Sequence, residues 1–290
     1  MRTLELGYSP CPNDTFIFHA LTHGKIHGKT HGKLPGSACS GQLEFHERLE
    51  DVETLNYMAL SGRLDITKVS FGVITQVLEN YCLLRSGGAL GRGCGPLVVA
   101  REPVTMRSLK GGTIAIPGAN TTAFLLLKLF DPSLGENAVA MAFDLIMDAV
   151  KEGQVDAGLI IHEGRFTYKD YGLSQLIDLG QWWEETTGKP IPLGGMIAKR
   201  DLGRETLLQV EALIRESLSY AFKDPEAPMD YVRQNAQEMD ESVMREHIKL
   251  YVNDFSLDLG SEGEDAVREL FRMARERGLV KGVEGNLFIE

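Results

Sequence analysis

Basic side chains are in short supply. Thirty Lys and Arg stand against 41 Asp and Glu, a formal net charge of −11. Nucleic-acid and anionic-membrane binding both depend on clustered Lys and Arg, so this balance argues against either as a general partner. A small anionic ligand remains compatible, because local dipoles hold such a molecule without help from net charge. Cysteine is scarce as well. Cys11, Cys39, Cys82 and Cys94 form no CxxC pair and no zinc-finger spacing, the usage of a reduced, cytoplasmic protein. No run reaches the roughly 18 apolar residues of a membrane-spanning helix. No apolar stretch followed by a small-residue cleavage site marks a secretory signal. The glycine-rich run 86–95 contains neither a GxGxxG opening a helix nor a Walker lysine, which argues against nucleotide binding. It reads as tight loops, with Arg92 a candidate neighbour of a ligand cleft.

What is present is globular. Hydrophobic residues at 43% and charged residues at 24% leave no room for a disordered or fibrous reading. A length of 290 residues suggests two domains at about 150 residues each. Residues 4–8 alternate like a short strand and run into Ser9-Pro10-Cys11-Pro12-Asn13-Asp14, where Asn13 or Asp14 can cap a buried helix starting at Thr15. A second copy of this unit starts at Thr113-Ile114-Ala115-Ile116. It turns at 117–120 and enters a helix at Thr121-Thr122. Downstream, residues 62–70 and 153–162 repeat another pattern, in which a C-cap glycine and an apolar-Asp step feed a strand. Two similar α/β lobes follow from this ordered repeat. The strand-like runs 95–100 and 194–198 are candidate crossovers that make the first lobe discontinuous. The lobes are then 1–100 plus 199–290, and 101–198. After Lys199 apolar residues recur at helical spacing, among them Val243, His247, Ile248 and Tyr251.

Ligands of open α/β lobes sit beyond the carboxyl ends of strands, against helix N-termini. That rule selects residues 9–15, 68–70, 118–122 and 162–163, facing one another across an interlobe cleft. The helix opening at Thr121-Thr122 offers free backbone N–H groups and two hydroxyls to a carboxylate, although capping is the commoner use of Asn120 or Thr121 there. Ser70 ends its strand as His162 ends its own. Its hydroxyl serves either a substrate or its own backbone. Lys68 either steers an acid or is a solvated charge. His162 leaves a fully apolar strand at its functional end, where an imidazole suits proton abstraction. A histidine bonded to a backbone carbonyl fits that position equally well. His247, on an apolar stripe, reads as a satisfied core or partly buried histidine. Five of the seven histidines fall within 19–46, three of them in a triplicated His-Gly-Lys motif. With no acidic cluster beside it, that tract implies no specific metal site.

The run from Gly7-Tyr8-Ser9-Pro10-Cys11-Pro12-Asn13-Asp14-Thr15 to Phe18 resembles the N-terminus of the 1,4-dihydroxy-6-naphthoate synthase family. Glu50-Asp51-Val52-Glu53-Thr54-Leu55-Asn56, the run 85–99, Ala157-Gly158-Leu159-Ile160-Ile161-His162-Glu163 and Tyr251-Val252-Asn253 carry the resemblance over nearly the whole chain. It implies a two-lobed fold like type 2 periplasmic binding proteins. The implied reaction is the step of the futalosine route to menaquinone that cleaves cyclic dehypoxanthinyl futalosine to the naphthoate and a sugar-derived fragment. It further implies His162 as proton acceptor, Lys68, Val69 and Ser70 as one substrate-contacting stretch and Thr121 and Thr122 as the other, with no metal and no cofactor. Chorismate dehydratase of the same pathway and a non-catalytic binder of small anions are the competing readings. The first is disfavoured by the Ser-Pro-Cys-Pro-Asn-Asp opening together with His162, the second by the lack of an export signal. Two features depart from the family: Asn120 stands where a histidine is common, and residues 26–42 have no counterpart. Excising 26–42 is therefore expected to leave turnover intact, with or without a chelator. Lost activity in a folded deletion, or in the chelated full chain, would contradict the cofactor-free reading.

Overall fold

A computed structural model describes residues 2–26, 43–237, 240–280 and 286–289. Of the His-Gly-Lys segment expected to be a surface insert, the first copy follows α1, with His23 as its C-cap, and residues 27–33 lie outside them.

Two sheets organise the chain. The first holds β1 (Arg2–Tyr8), β2 (Leu43–Leu49), β3 (Ile66–Ser70), β4 (Tyr81–Leu83), β5 (Ala89–Gly91) and β11 (Ile191–Lys199). The second holds β6 (Leu97–Ala100), β7 (Ile114–Ile116), β8 (Ala138–Ala140), β9 (Ala157–Ile160) and β10 (Ser174–Asp178). Strand order is β2-β1-β3-β11-β4, with β5 also on β11, and β10-β6-β9-β7-β8. In each sheet a parallel core is joined by one antiparallel strand that arrives from elsewhere in the chain: β11 pairs β3, and β6 pairs β9. The helices are α1 (Pro12–Thr22), α2 (Val52–Leu60), α3 (Phe71–Val77), α4 (Thr122–Phe130), α5 (Ile146–Lys151), α6 (Gly164–Thr167), α7 (Leu179–Thr187), α8 (Arg204–Lys223), α9 (Met229–Asn235), α10 (Glu241–Tyr251), α11 (Asp254–Leu257) and α12 (Gly260–Glu276). Among the described residues no helix is long and apolar enough to cross a membrane.

The repeat seen in the sequence is the strand-loop-helix unit β1–α1 and its copy β7–α4. Two details differ from expectation. Helix α1 starts at Pro12, with Cys11 as N-cap and no side-chain cap bond. Proline fits there because the first helical N–H has no intrahelical partner to lose and its φ is already helical. The two crossover runs are full sheet members, so β6 already belongs to the second sheet and β11 to the first. By sheet membership the chain changes lobe between β5 and β6, and again between β10 and β11, earlier than positions 100 and 199. Both strands are almost wholly buried, and an apolar strand stays buried only by pairing within a covered sheet.

One apolar cluster runs through both sheets, joining Val69, Phe71 and Ile74 to Leu125, Leu126 and Leu159. It brings α3 against the turn that precedes α4. A Cβ at Gly72 would lie 2.4 Å from the backbone oxygen of Asn120, so the absence of a side chain there lets the lobes close together beside the site.

Candidate functional site

Strand β3 is buried along its whole length, so its polar side chains must find partners inside the protein. Lys68, for which a solvated charge was one expectation, is 4% exposed. Its Nζ lies 2.9 Å from Asp14 Oδ1 and donates to Gly87 O at 2.7 Å. Asp14 also accepts from Ser9 N, Ser9 Oγ and Asn13 Nδ2. A buried pair is tolerable only when its remaining lone pairs and protons are bonded in this way.

The same network fixes a second residue. Asn13 Nδ2 must be the atom facing Asp14, because an ionised carboxylate only accepts. Its Oδ1 therefore accepts from His247 Nε2 at 2.9 Å. His247 lies on the buried side of α10, as its place on the apolar stripe implies, but it is not a satisfied core residue: it lines the cleft. Its Nδ1 is buried without a hydrogen-bond partner. Burial, reinforced by neighbouring His162, holds the His247 pKa well below the ordinary histidine value.

His162 follows the end of β9 at φ 54°, the one non-glycine residue with positive φ among the described residues. Backbone of that kind is sparsely populated and is kept where the surroundings hold it in place. Its ring packs on Phe143 at 4.9 Å and lies nearly parallel to the His247 ring, 6.1 Å away at 9°. No hydrogen bond engages its ring nitrogens among the described residues. Beside it, Glu163 Oε2 is buried without a partner, 3.9 Å from His247 Nδ1. Cys11, His162 and Glu163 place ligand atoms within 4.8 Å of one another, a set able to receive a soft divalent cation. Burial, with Glu163 nearby, pushes the Cys11 thiol well up, so a cation there would first have to expel its proton.

At the other end of the cleft Thr121 is the N-cap of α4. Its Oγ1 accepts from Phe124 N at 3.2 Å and donates to Gly118 O at 2.8 Å. Thr122 Oγ1 donates to Leu193 O. Thr121 thus serves the capping role that is the commoner use of such a residue, both hydroxyl protons are taken by the protein, and what α4 presents is the backbone N–H of Thr122 and of Ala123, neither bonded within the described residues. Ser70 receives Asn56 Nδ2 on its Oγ at 3.2 Å, which leaves its own hydroxyl proton free. Asn56 also bonds Glu53, and Glu53 accepts from the Asn120 backbone N and side-chain Nδ2, both at 3.0 Å. Asn120 is therefore a tie between lobes.

Lys68, Val69, Ser70, Thr121, Thr122 and His162 all line one cleft. Sequence reasoning missed Asn13 and Asp14 as network members, Asn56, and the cleft-facing role of His247. Arg92 is elsewhere, bonded on the surface to Gly188 O and Glu262. Trp183 packs internally, donating to Pro190 O.

A family model described as menaquinone biosynthesis matches residues 4–276. A 1,4-dihydroxy-6-naphthoate synthase of Thermus thermophilus is 49% identical over 289 residues, covering 100% of both chains. Another, of Streptomyces coelicolor, is 47% identical over 283 residues, covering 96% of this chain and 95% of that one. Among solved structures, a protein of Archaeoglobus fulgidus matches with a TM-score of 0.86 at 35% identity, covering 96% of this chain and 98% of that one. The periplasmic aliphatic sulphonate binding protein of Escherichia coli matches with a TM-score of 0.63 at 13% identity, covering 97% and 89%. At that identity the likeness is one of fold.

Proposed function

The chain belongs to the menaquinone-biosynthesis family, and on that premise we propose that it is the lyase converting cyclic dehypoxanthinyl futalosine to 1,4-dihydroxy-6-naphthoate, with His162 taking the proton that starts fragmentation. The observation that carries the reading is the position of His162: just past the carboxyl end of β9, half-buried, its ring nitrogens without hydrogen bonds among the described residues, and in one cleft with the N-terminus of α4.

The chemistry needs a base, a cradle for negative charge and exclusion of water. Loss of a proton from carbon next to a ketone leaves an enolate. Collapse of that enolate expels the sugar-derived fragment, and formation of the aromatic ring drives the step. His162 is the base. The carboxylate of the substrate takes the unbonded N–H groups of Thr122 and Ala123, where the helix dipole favours an anion. Ser70 donates its free hydroxyl proton from the other lobe. Lys68, with two of its three N–H donors on Asp14 and Gly87, stiffens the cleft wall and keeps the third for the substrate. A ligand bridging the lobes favours their closed arrangement.

Two variants test the cradle. Ser70→Ala is expected to weaken naphthoate binding by about 1–3 kcal/mol, the worth of a hydrogen bond to a charged group or its loss. Thr121→Ala removes the cap that orders the first turn, so it should weaken binding and also cost about 1 kcal/mol of stability. Titration calorimetry and thermal melts read the two effects separately, and unchanged affinity in both variants would contradict the cradle. The activity itself is tested by incubating the protein with cyclic dehypoxanthinyl futalosine and, separately, with chorismate. Naphthoate from the first and nothing from the second is expected; a dehydration product from chorismate would contradict the assignment.

A further inference from the structure

Among the described residues, one buried side-chain polar atom of the cleft lining has no hydrogen-bond partner. His247 is 1% exposed, lines the cleft, and has a buried Nδ1 with no partner. Its other nitrogen is committed, because Asp14 orients Asn13 and Asn13 in turn requires a proton on Nε2. Among the described residues no acceptor lies within hydrogen-bond distance of Nδ1, the nearest carboxylate oxygen being Glu163 Oε2 at 3.9 Å, so Nδ1 carries a bare lone pair. An atom of that kind, prepaid in orientation and left without a donor, is costly unless a ligand supplies the donor. The ring is also parallel to that of His162 at 6.1 Å, with Tyr251 against it at 4.6 Å, so its place along the cleft is fixed by packing. A carboxylate at Thr122 and Ser70 leaves the remainder of the substrate to reach toward the two histidines.

Resting on the function proposed above, we propose that His247 is a second substrate-contacting residue, whose Nδ1 accepts a hydrogen bond from a hydroxyl of the sugar-derived part of the substrate while His162 acts on the carbon beside it. The relay Lys68–Asp14–Asn13–His247 is then a tautomer lock. It keeps an acceptor, and not a donor, facing the reacting end.

Side-chain nitrogen NMR on histidine-labelled protein tests the lock without any turnover. The His247 signals, assigned by their loss in His247→Gln, should show the Nε2–H tautomer. Adding substrate to the inactive His162→Asn variant should shift Nδ1 in the direction of hydrogen-bond acceptance. In His247→Gln the amide can still donate to Asn13, but the Nδ1 acceptor is gone. Its kcat/KM should fall about tenfold, the upper worth of one neutral hydrogen bond, while affinity for the naphthoate product, which lacks the sugar-derived part, stays within about twofold. A Nδ1–H tautomer, an unmoved Nδ1 signal, or an unchanged kcat/KM in the folded variant would each overturn the proposal. If His247→Gln merely lowers the melting temperature with kcat/KM intact, the role is structural and the proposal is wrong. Failure of the wild-type chain to form naphthoate would instead overturn the function it rests on, which the same assay shows directly.

Discussion

Replacing His162 lowers turnover by about two to four orders of magnitude, the usual worth of a positioned acid–base group, and leaves naphthoate binding in place. The expectation follows from how little else in the cleft can take a proton. Lys68 is committed to Asp14 and Gly87. The Cys11 thiol is held protonated by burial, and a thiol is not a base. His247 has a free lone pair, but its basicity is depressed. His162 alone combines free ring nitrogens with a half-buried position at a strand's carboxyl end. The choice of variant matters because its φ is 54°. Alanine in that conformation carries a backbone cost of about 1–2 kcal/mol, whereas asparagine tolerates it better. His162→Asn is therefore the cleaner test and His162→Ala the second. Steady-state rates with melting curves for both distinguish lost chemistry from lost fold. Near-normal turnover in a folded variant would remove His162 from the mechanism.

Lys68→Met carries the largest expected cost in stability. Removing the ammonium leaves Asp14, 3% exposed at its side chain, with three donors and no counter-charge, and leaves Gly87 O without its partner. Breaking a buried pair from one side costs about 3–5 kcal/mol. The three donors still on Asp14 place this case toward the lower end. For a chain of this size that amounts to a fall in melting temperature on the order of 10 °C. Asp14→Asn combined with Lys68→Met removes the stranded charge and should recover part of the loss. Melting of Lys68→Met within about 2 °C of wild type would show that the pair contributes little. The double variant melting below the single would show that the stranded carboxylate is not what costs.

The sequence made the lobes, the strand ends and the cleft loops legible because these are local features. Gly153 to His162 repeats the pattern of Gly62 to Ser70, and a strand's carboxyl end in an α/β lobe is a place where ligands bind. Side-chain commitments made at a distance were not legible. Lys68 sits at the position expected of it, but its partner Asp14 is 54 residues away, and a lysine at a strand end looks the same whether paired or solvated. At Thr121 capping, the commoner use expected from the sequence, is what the hydroxyl does, whereas the bond of Thr122 goes to Leu193 O on β11 and is invisible to local pattern. His247 was hidden for a related reason. Helical periodicity marks the buried side of α10, but a side facing the core and a side facing a closed cleft give the same pattern.

A structure of His162→Asn with cyclic dehypoxanthinyl futalosine bound tests the central claim most directly. The account predicts the ligand between the lobes, its carboxylate within hydrogen-bond reach of the Thr122 and Ala123 N–H groups and of Ser70 Oγ. The acidic carbon should lie at residue 162, close enough that a restored imidazole nitrogen would sit about 3–3.5 Å from it. A carboxylate bound at the Cys11 and Glu163 end, or a ligand seated outside the cleft, would contradict it.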